Sequence, residues 1–342
     1  MIHRASSLEA VPPLADALER EARLRPGVLP RELVVPQRLL ERALFEPLSK
    51  ASRRPGKEFR ARLSGICWEV SGGEGAAPRE LGLIVEALHL GSLIVDDIED
   101  ESECRRGVPC LHQQVGLPLA LNAGNWLYFW PGAVLSRAGF DAPVELALRR
   151  AIDRAVLRCH YGQALDLSVR VGELRQLEVR DVVFATTRLK TGSLMELAAE
   201  LGATAARADP ESLSVLAELG AELGVALQML DDLTGICVER RRDKGREDLV
   251  LGRPTWVWAW LAEQCDRLSY LRFRSVLEAV QRGELDPLLL AAQLAEQIGE
   301  VGRAAIQKRL NDARRRVMAR FAGSPALGEL EREFERLEAY GA

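Results

Sequence analysis

Residues 81–100 read LGLIVEALHLGSLIVDDIED, an almost unbroken apolar run that ends in a cluster of carboxylates. The apolar residues recur at helical spacing, and Pro78, just before them, suits the first turn of a helix. The pattern predicts one long helix from Pro78 to about residue 101. A helix that is apolar on every side belongs in the core of a helical protein.

The rest of the chain follows the same periodicity, and its commonest residues, Ala, Leu, Glu and Arg, are strong helix formers. The charged stretch ERRRDKGREDLVLGR, residues 239–253, predicts a mobile loop, and Gly107 and Pro109 predict a loop over residues 105–116. No interior segment is typical of a linker, so we expect one all-α helical bundle over residues 1–342. Further helices are predicted at roughly 7–22, 31–49, 57–70, 118–138, 143–170, 178–204 and 210–236, and from Pro254 onward with breaks near Asp266, Gly283 and Pro325.

Composition excludes several functional classes. The 342 residues carry a net charge of −4, which argues against a general nucleic-acid-binding surface. The six cysteines lack zinc-finger spacing, and no secretory signal precedes them. No run reaches the ~18 apolar residues of a membrane span. We therefore expect a cytoplasmic protein with reduced cysteines and no integral membrane segment.

The carboxylates at the end of the apolar run predict a metal site. Asp96 and Asp100 lie one helical turn apart, with Asp97 and Glu99 beside them. They repel one another, and the negative end of the helix dipole adds to the repulsion. A divalent cation removes both penalties, and magnesium favours a few carboxylates together with substrate phosphates. A solvated acidic helix end is the alternative, but the buried helix before it favours a cavity mouth.

A second apolar segment, ELGVALQMLDDLTG at residues 222–235, ends in the same way. It carries Asp231 and Asp232, with Gln228 one turn earlier. Two such helices facing each other would form an opposed carboxylate clamp, and metal ions held there would assist the departure of a diphosphate. The repetition, more than either cluster alone, indicates this chemistry.

A diphosphate needs cations in addition to metal. Taken singly, each basic residue near the motifs is more typical of a solvated surface, and a histidine in an apolar stretch is more typical of a core. The candidates near the two clusters are Lys57, Arg60, His89, Arg105, Arg106, Lys190, Lys244 and the hydroxyl of Thr191.

Together these segments resemble the trans-isoprenyl diphosphate synthases. HLGSLIVDDIEDESECRRG resembles the first aspartate-rich motif of the family with its trailing Arg pair, and QMLDDLTG resembles the second. PGKEFRARL is similar to the family's GGKRxRP segment, LKTGSLMELA to its KT-containing helix, and GQALDL to a further segment. The resemblance covers roughly residues 50–260. LNAGNWLYF and EDLVLGR are similar to segments of geranylgeranyl diphosphate synthases.

The resemblance implies the isoprenoid synthase type I fold around a deep central cavity, three Mg²⁺ ions and a homodimer. It implies condensation of isopentenyl diphosphate with an allylic diphosphate, through loss of the allylic diphosphate and attack of the isopentenyl double bond on C1. The metal would be held by Asp96, Asp97, Asp100, Asp231 and Asp232, which with Lys190 are the catalytic residues. The allylic diphosphate would be bound by Arg105, Lys190, Thr191, Gln228 and Lys244, and isopentenyl diphosphate by Lys57, Arg60, His89 and Arg106.

Three residues depart from the family pattern. Gly235 stands where many members carry the last Asp of the second motif, which implies a weaker hold on the third metal. Glu58 replaces an Arg of the GGKRxRP segment and places a carboxylate beside an anion site. Arg253 replaces a Lys, which keeps the charge but changes the shape.

Product length in this family depends on bulk below the first cluster. Gly91 and Ser92 are expected to leave the cavity open, which favours geranylgeranyl or longer products over farnesyl. The aromatic residues Trp126, Tyr128, Phe129 and Trp130 are either a floor lower down or ordinary core.

Two other functions remain open. A terpene cyclase of the same fold would not need the four residues assigned to isopentenyl diphosphate. A non-catalytic partner subunit would usually lose its acidic clusters.

Overall fold

The computed structural model of the chain describes residues 14–23, 29–30, 32–53, 58–105, 107–238 and 242–340, which are helical almost throughout. The all-α prediction is confirmed. The chain forms two compact units, residues 1–153 with 200–209, and residues 154–199 with 210–342. The prediction of a single domain over residues 1–342 stays a prediction.

The first unit is built around a long core helix. Its helices are α1 (Leu14–Arg23), α2 (Gln37–Leu40), α3 (Glu46–Ser52), α4 (Phe59–Val70), α5 (Arg79–Glu99), α6 (Leu111–Val115), α7 (Leu117–Arg137) and the start of α8 (Ala142–Ser168), with a π-helical turn at Glu41–Phe45. Helix α5 packs most extensively on α7 and also on α4. The segment predicted as a loop after α5 contains a two-stranded antiparallel hairpin, β1 (Cys104–Arg105) and β2 (Val108–Pro109).

Helix α5 is mostly buried over residues 81–91, as its apolar sequence predicts, and is half-buried on several sides toward its C-terminal end. Residues 81–85, Ala87 and Leu88 are buried. Among its half-buried residues, one row runs along the helix and just past its end: Glu86, His89, Leu93, Asp96 and Asp100. Their spacing of three or four residues places them on one face. We call this row the open face of α5.

The second unit holds the second aspartate motif. It comprises the rest of α8, a 3₁₀ turn at Val171–Glu173, α9 (Gln176–Thr187), a π-helical turn at Arg188–Gly192, α10 (Ser193–Ala205, which ends in the first unit), α11 (Pro210–Cys237), α12 (Arg242–Leu251), α13 (Trp256–Gln264), α14 (Arg267–Gln281), α15 (Pro287–Arg320) and α16 (Leu327–Tyr340). The breaks predicted near Asp266, Gly283 and Pro325 are confirmed.

The prediction of a mobile loop at residues 239–253 is wrong for most of that segment, because α12 lies within it. The apolar side chain of Leu249 is only 3% exposed, and α12 packs on α11, α14 and α15. The charge and turn residues of the segment indicated a loop, but tertiary contacts stabilise a helix there, because intrinsic propensity is only a weak guide to secondary structure.

Helix α11 has the length and apolar composition of a membrane-spanning helix. Among the described residues it alone does, and 56% of its most apolar window is buried inside the protein. It packs along α15, its most extensive contact. A core position in the bundle therefore accounts for its composition.

Candidate active site

The first acidic cluster lies at the C-terminal end of α5 and is paired with Arg105. The guanidinium Nε of Arg105 donates to Oδ1 of Asp97 at 2.5 Å, and Nη2 donates to Oδ2 of Asp96 at 3.1 Å. Asp97 is only 4% exposed, whereas Asp96 and Asp100 are half-buried. One cation is thus shared by two adjacent carboxylates.

The chain turns back after α5 in a way that delivers this arginine. The backbone N–H of Asp100 donates to the carbonyl of Asp96, and that of Ser102 donates to the carbonyl of Asp97, which ends the helix. The hairpin β1–β2 follows and carries Arg105. Burial opposes the charge on Arg105, but Asp97 and Asp96 together outweigh it and raise its pKa.

The residues assigned to isopentenyl diphosphate fall on α4 and α5. Arg60 is half-buried in the first turn of α4, and His89 is half-buried on the open face of α5. Glu58, the departure from the family pattern, is exposed at the start of α4. Lys57 and Arg106 lie outside the described residues.

In the second unit, Lys190 and Thr191 sit on the π-helical turn Arg188–Gly192, a rare geometry that often marks functional sites. Two glycines let neighbouring helices press against this turn. A Cβ on Gly162 of α8 would lie 2.4 Å from the backbone nitrogen of Lys190, and one on Gly224 of α11 would lie 2.9 Å from the carbonyl oxygen of Thr191. The glycine of GQALDL is therefore required by the position of Lys190.

Lys190 is held by a carboxylate on α8. Its Nζ lies 2.7 Å from Oδ2 of Asp166. Arg253 lies 3.9 Å from the same oxygen and 3.9 Å from Asp248. The basic residue that replaces the family's Lys thus keeps its charge next to Asp166.

A chain of hydrogen bonds links Thr191 to the second aspartate pair. The Thr191 hydroxyl donates to Oε1 of Gln228 at 3.0 Å, and Nε2 of Gln228 donates to Oδ1 of Asp232 at 2.8 Å. The other oxygen of Asp232 accepts from the backbone N–H of Trp256 at 2.8 Å. Thr255, the N-cap residue of α13, makes no side-chain capping bond, so Asp232 supplies the acceptor for the start of that helix.

Asp231, next to Asp232 on α11, is half-buried. One turn later, at Gly235, the helix meets α12. A Cβ on Gly245 of α12 would lie 2.2 Å from the carbonyl oxygen of Gly235, so the two backbones touch. The place that the last Asp of the family motif would occupy faces another helix backbone. Lys244 lies on α12, and its side chain is outside the described part of the structure.

Sequence reasoning missed two carboxylates of this region, Asp166 and Glu86. Asp166 lies in the quoted segment GQALDL, but nothing local pairs it with a lysine 24 residues away. Glu86 is an acid within an apolar run, and that isolation was the only available signal. Its Oε1 accepts from the backbone N–H of Ala61 at 3.3 Å.

The expected opening of the cavity at Gly91 is wrong, and the aromatic residues of α7 do not act as one group. Gly91 does not open a space, because a Cβ there would lie 3.0 Å from the Gly124 carbonyl oxygen and 3.0 Å from Cβ of Leu127. Gly91 instead permits close contact between α5 and α7. Among the aromatic residues of α7, Phe129 is 80% exposed and cannot form a floor, whereas Trp126 and Trp130 stack at 5.4 Å.

The donor chemistry fits magnesium. In the part of the chain that the structure describes, no three carboxylate, His or Cys side chains converge as a metal site. Asp96 and Asp97 nonetheless direct oxygen atoms at one cation, the Arg105 guanidinium, and oxygen donors are what Mg²⁺ prefers.

Comparison with known proteins assigns the family. Residues 41–285 match the polyprenyl synthetase family. The chain is 29% identical over 206 residues to geranylgeranyl diphosphate synthase of Sulfolobus acidocaldarius, covering 59% of this chain and 58% of that protein. It is 33% identical over 186 residues to geranylfarnesyl diphosphate synthase of Aeropyrum pernix, covering 53% and 58%. Among solved structures, decaprenyl diphosphate synthase of Rhodobacter capsulatus shares the fold with a TM-score of 0.78 at 20% identity, over 96% of this chain and 95% of that one. The chain belongs to the polyprenyl synthetase family.

Proposed function

We propose that this protein is a magnesium-dependent trans-prenyltransferase that joins isopentenyl diphosphate to an allylic diphosphate and releases a linear isoprenyl diphosphate. The observation that carries the proposal is the shared cation at Asp96 and Asp97. Two adjacent carboxylates with a common guanidinium form a site built for positive charge at the end of a buried helix.

The residues that would hold magnesium in this proposal are Asp96 and Asp97 of α5, Asp100 just after it, and Asp231 and Asp232 of α11. Bound there, the metal would neutralise the diphosphate of the allylic substrate as it leaves. Arg105, which already carries a full positive charge between two carboxylates, would then turn part of its hydrogen-bonding capacity toward the same diphosphate.

Lys190, Thr191, Gln228 and Lys244 are assigned to the allylic diphosphate. The structure supports this assignment for three of them, because the Lys190 turn is fixed by two helix contacts and Thr191 is bonded to Gln228. Fixed donors need little reorganisation when negative charge develops on the leaving group. The bond between C1 and oxygen breaks with its electron pair on the diphosphate, the isopentenyl double bond attacks C1, and the departing diphosphate takes the proton.

We infer geranylgeranyl diphosphate as the product, on the support of relatives such as the Sulfolobus enzyme that bear that name. A homodimer is supported by apolar side chains that α7 leaves exposed, namely Leu117, Leu121 and Phe129, the last at 80%. A cytoplasmic location is supported by six cysteines that form no disulfide.

The test is incubation of the pure protein with Mg²⁺, labelled isopentenyl diphosphate and each of three primers: dimethylallyl, geranyl and farnesyl diphosphate. The products are dephosphorylated and sized. We expect label in a longer prenyl alcohol, its loss in Asp96→Ala, and its retention in Asp181→Ala, a control that removes an exposed aspartate of α9. Failure to incorporate label with any primer would refute elongation, and release of a cyclic hydrocarbon from primer alone would establish a cyclase in its place.

A further inference from the structure

The N-terminus of helix α4 has no side-chain hydrogen bond from its own N-cap residue. Its N-cap residue, Glu58, is in the left-handed region at φ 46° and ψ 24°, and its side chain makes no capping bond. That backbone conformation costs a non-glycine residue roughly 1–2 kcal/mol. The first N–H groups of a helix also have no partner within it, so they need acceptors from elsewhere.

The missing acceptor comes from the neighbouring helix. Oε1 of Glu86, on the open face of α5, accepts the backbone N–H of Ala61 at 3.3 Å. Ala61 is only 3% exposed, so water is poorly placed to replace this bond. Glu86 thereby ties the first turn of α4 to α5 across 25 residues of sequence.

The carboxylate is kept at this place despite an electrostatic penalty. Burial raises the pKa of Glu86, the positive charge of Arg60 opposes that rise, and the charge of Glu58 adds to it. Arg60, one residue before Ala61, therefore lies within electrostatic range of Glu86. A half-buried acid whose loss of hydration is only partly offset by a nearby cation is unfavourable by itself, which indicates that its position serves another purpose.

We infer that Glu86 is a positioning residue for the diphosphate of the acceptor substrate: its carboxylate fixes the first turn of α4, and with it Arg60, against α5. His89 follows Glu86 by one turn on the open face, so Glu86 is one turn from one of the two described residues assigned to isopentenyl diphosphate and bonds the residue next to the other, Arg60. This inference rests on the proposed function. Glu86 acts through α4 and Arg60 and need not touch the substrate.

Three variants separate the hydrogen bond from the charge. Glu86→Gln keeps an acceptor oxygen at full reach and removes the charge, Glu86→Asp keeps the charge and shortens the reach, and Glu86→Ala removes both. Glu80→Gln is the matched control, because it removes a carboxylate from the same helix where, among the described residues, it pairs with the exposed Arg79. Each variant is checked for folding by circular dichroism before use.

The primary measurement is calorimetric binding of isopentenyl diphosphate alone, where no turnover occurs. Steady-state kinetics with an allylic primer follow. Losing a buried acceptor is expected to weaken the Kd for isopentenyl diphosphate roughly 10-fold in Glu86→Ala and Glu86→Asp. We expect a change of less than about 3-fold in Glu86→Gln and none in Glu80→Gln. The KM for the allylic substrate should stay within about 2-fold of wild type in all four, since that site is assigned to other residues.

Three results would overturn the inference: an unchanged Kd in Glu86→Asp, an equal loss in Glu86→Gln, or an equal rise in KM for both substrates, which would indicate general loosening. Glu86→Asp and Glu86→Gln decide the matter even where Glu86→Ala does not fold. Failure of the proposed function has a different signature, because the wild-type protein itself would then neither bind isopentenyl diphosphate nor elongate a primer.

Discussion

Gly162→Ala tests how the Lys190 turn is held. The new Cβ would lie 2.4 Å from the Lys190 backbone nitrogen and 2.9 Å from the Leu189 carbonyl carbon. Ordinary contacts of this kind begin at 3.4 Å, so the two backbones must separate by the difference, 3.4 − 2.4 = 1.0 Å at the nitrogen. Backbone cannot rotate aside as a side chain can, and overpacking of this type costs about 1–3 kcal/mol.

Gly299→Ala is the control, because Gly299 lies in α15 and a Cβ there would meet nothing within 4 Å. Both substitutions gain the same helix propensity, about 1 kcal/mol. The difference in their free energies of unfolding therefore isolates the strain, which we expect to be about 1–3 kcal/mol. Urea denaturation followed by circular dichroism measures both.

Activity should respond at Gly162 alone. A shift of Lys190 by about 1 Å is expected to lower kcat up to about 100-fold, whereas Gly299→Ala should leave kcat unchanged. Equal unfolding free energies for the two variants, within about 0.5 kcal/mol, would refute the reasoning that Gly162 is required by the Lys190 turn.

Three further outcomes are expected. Asp232→Asn should destabilise the protein by about 1–2 kcal/mol in thermal denaturation without metal, because the start of α13 loses its charged acceptor, while the exposed Asp181→Asn should not. Arg105→Gln should lower Tm without Mg²⁺, because the buried Asp97 loses its cation. Added Mg²⁺ should then raise the Tm of this variant by more than it raises the Tm of wild type, and equal Mg²⁺-induced rises would contradict the fit of this cluster to metal. Burial raises the pKa of Glu86 in the folded protein. Its contribution to the free energy of unfolding is therefore fully present below the usual pKa of 4.5 and is lost as pH rises through the pKa of the folded state. Glu86→Gln should therefore become more stable relative to wild type between pH about 4.5 and 8, and a pH-independent difference in urea titrations would contradict this.

Several features of this protein follow directly from its sequence. The apolar run of α5 ending at Asp96 predicted a buried helix with an acidic end, and the structure buries most of α5 and leaves its acidic end half-buried. The helix breaks near Asp266 and Gly283 were also predictable. Periodicity, turn residues and chemically unusual clusters are local signals, so a single sequence carries them.

Other features depend on contacts that no local pattern records. Helix α12 was hidden by its charge and is held by packing against α11. Gly91 looked like an open space below a metal site, but it lies against the backbone of α7. A glycine in a sequence says only that a side chain is absent, and the structure shows what occupies that volume.

The partners of the carboxylates were likewise decided by tertiary structure. Sequence alone identified Asp232 as one of an adjacent pair, but its bond to the start of α13, 24 residues away, depends on how two helices meet. Glu86 and Asp166 gained their roles in the same way, through Ala61 and Lys190. The sequence specifies which side chains can donate or accept hydrogen bonds. Which of them become partners depends on residues far apart in the chain that come together only in the folded protein.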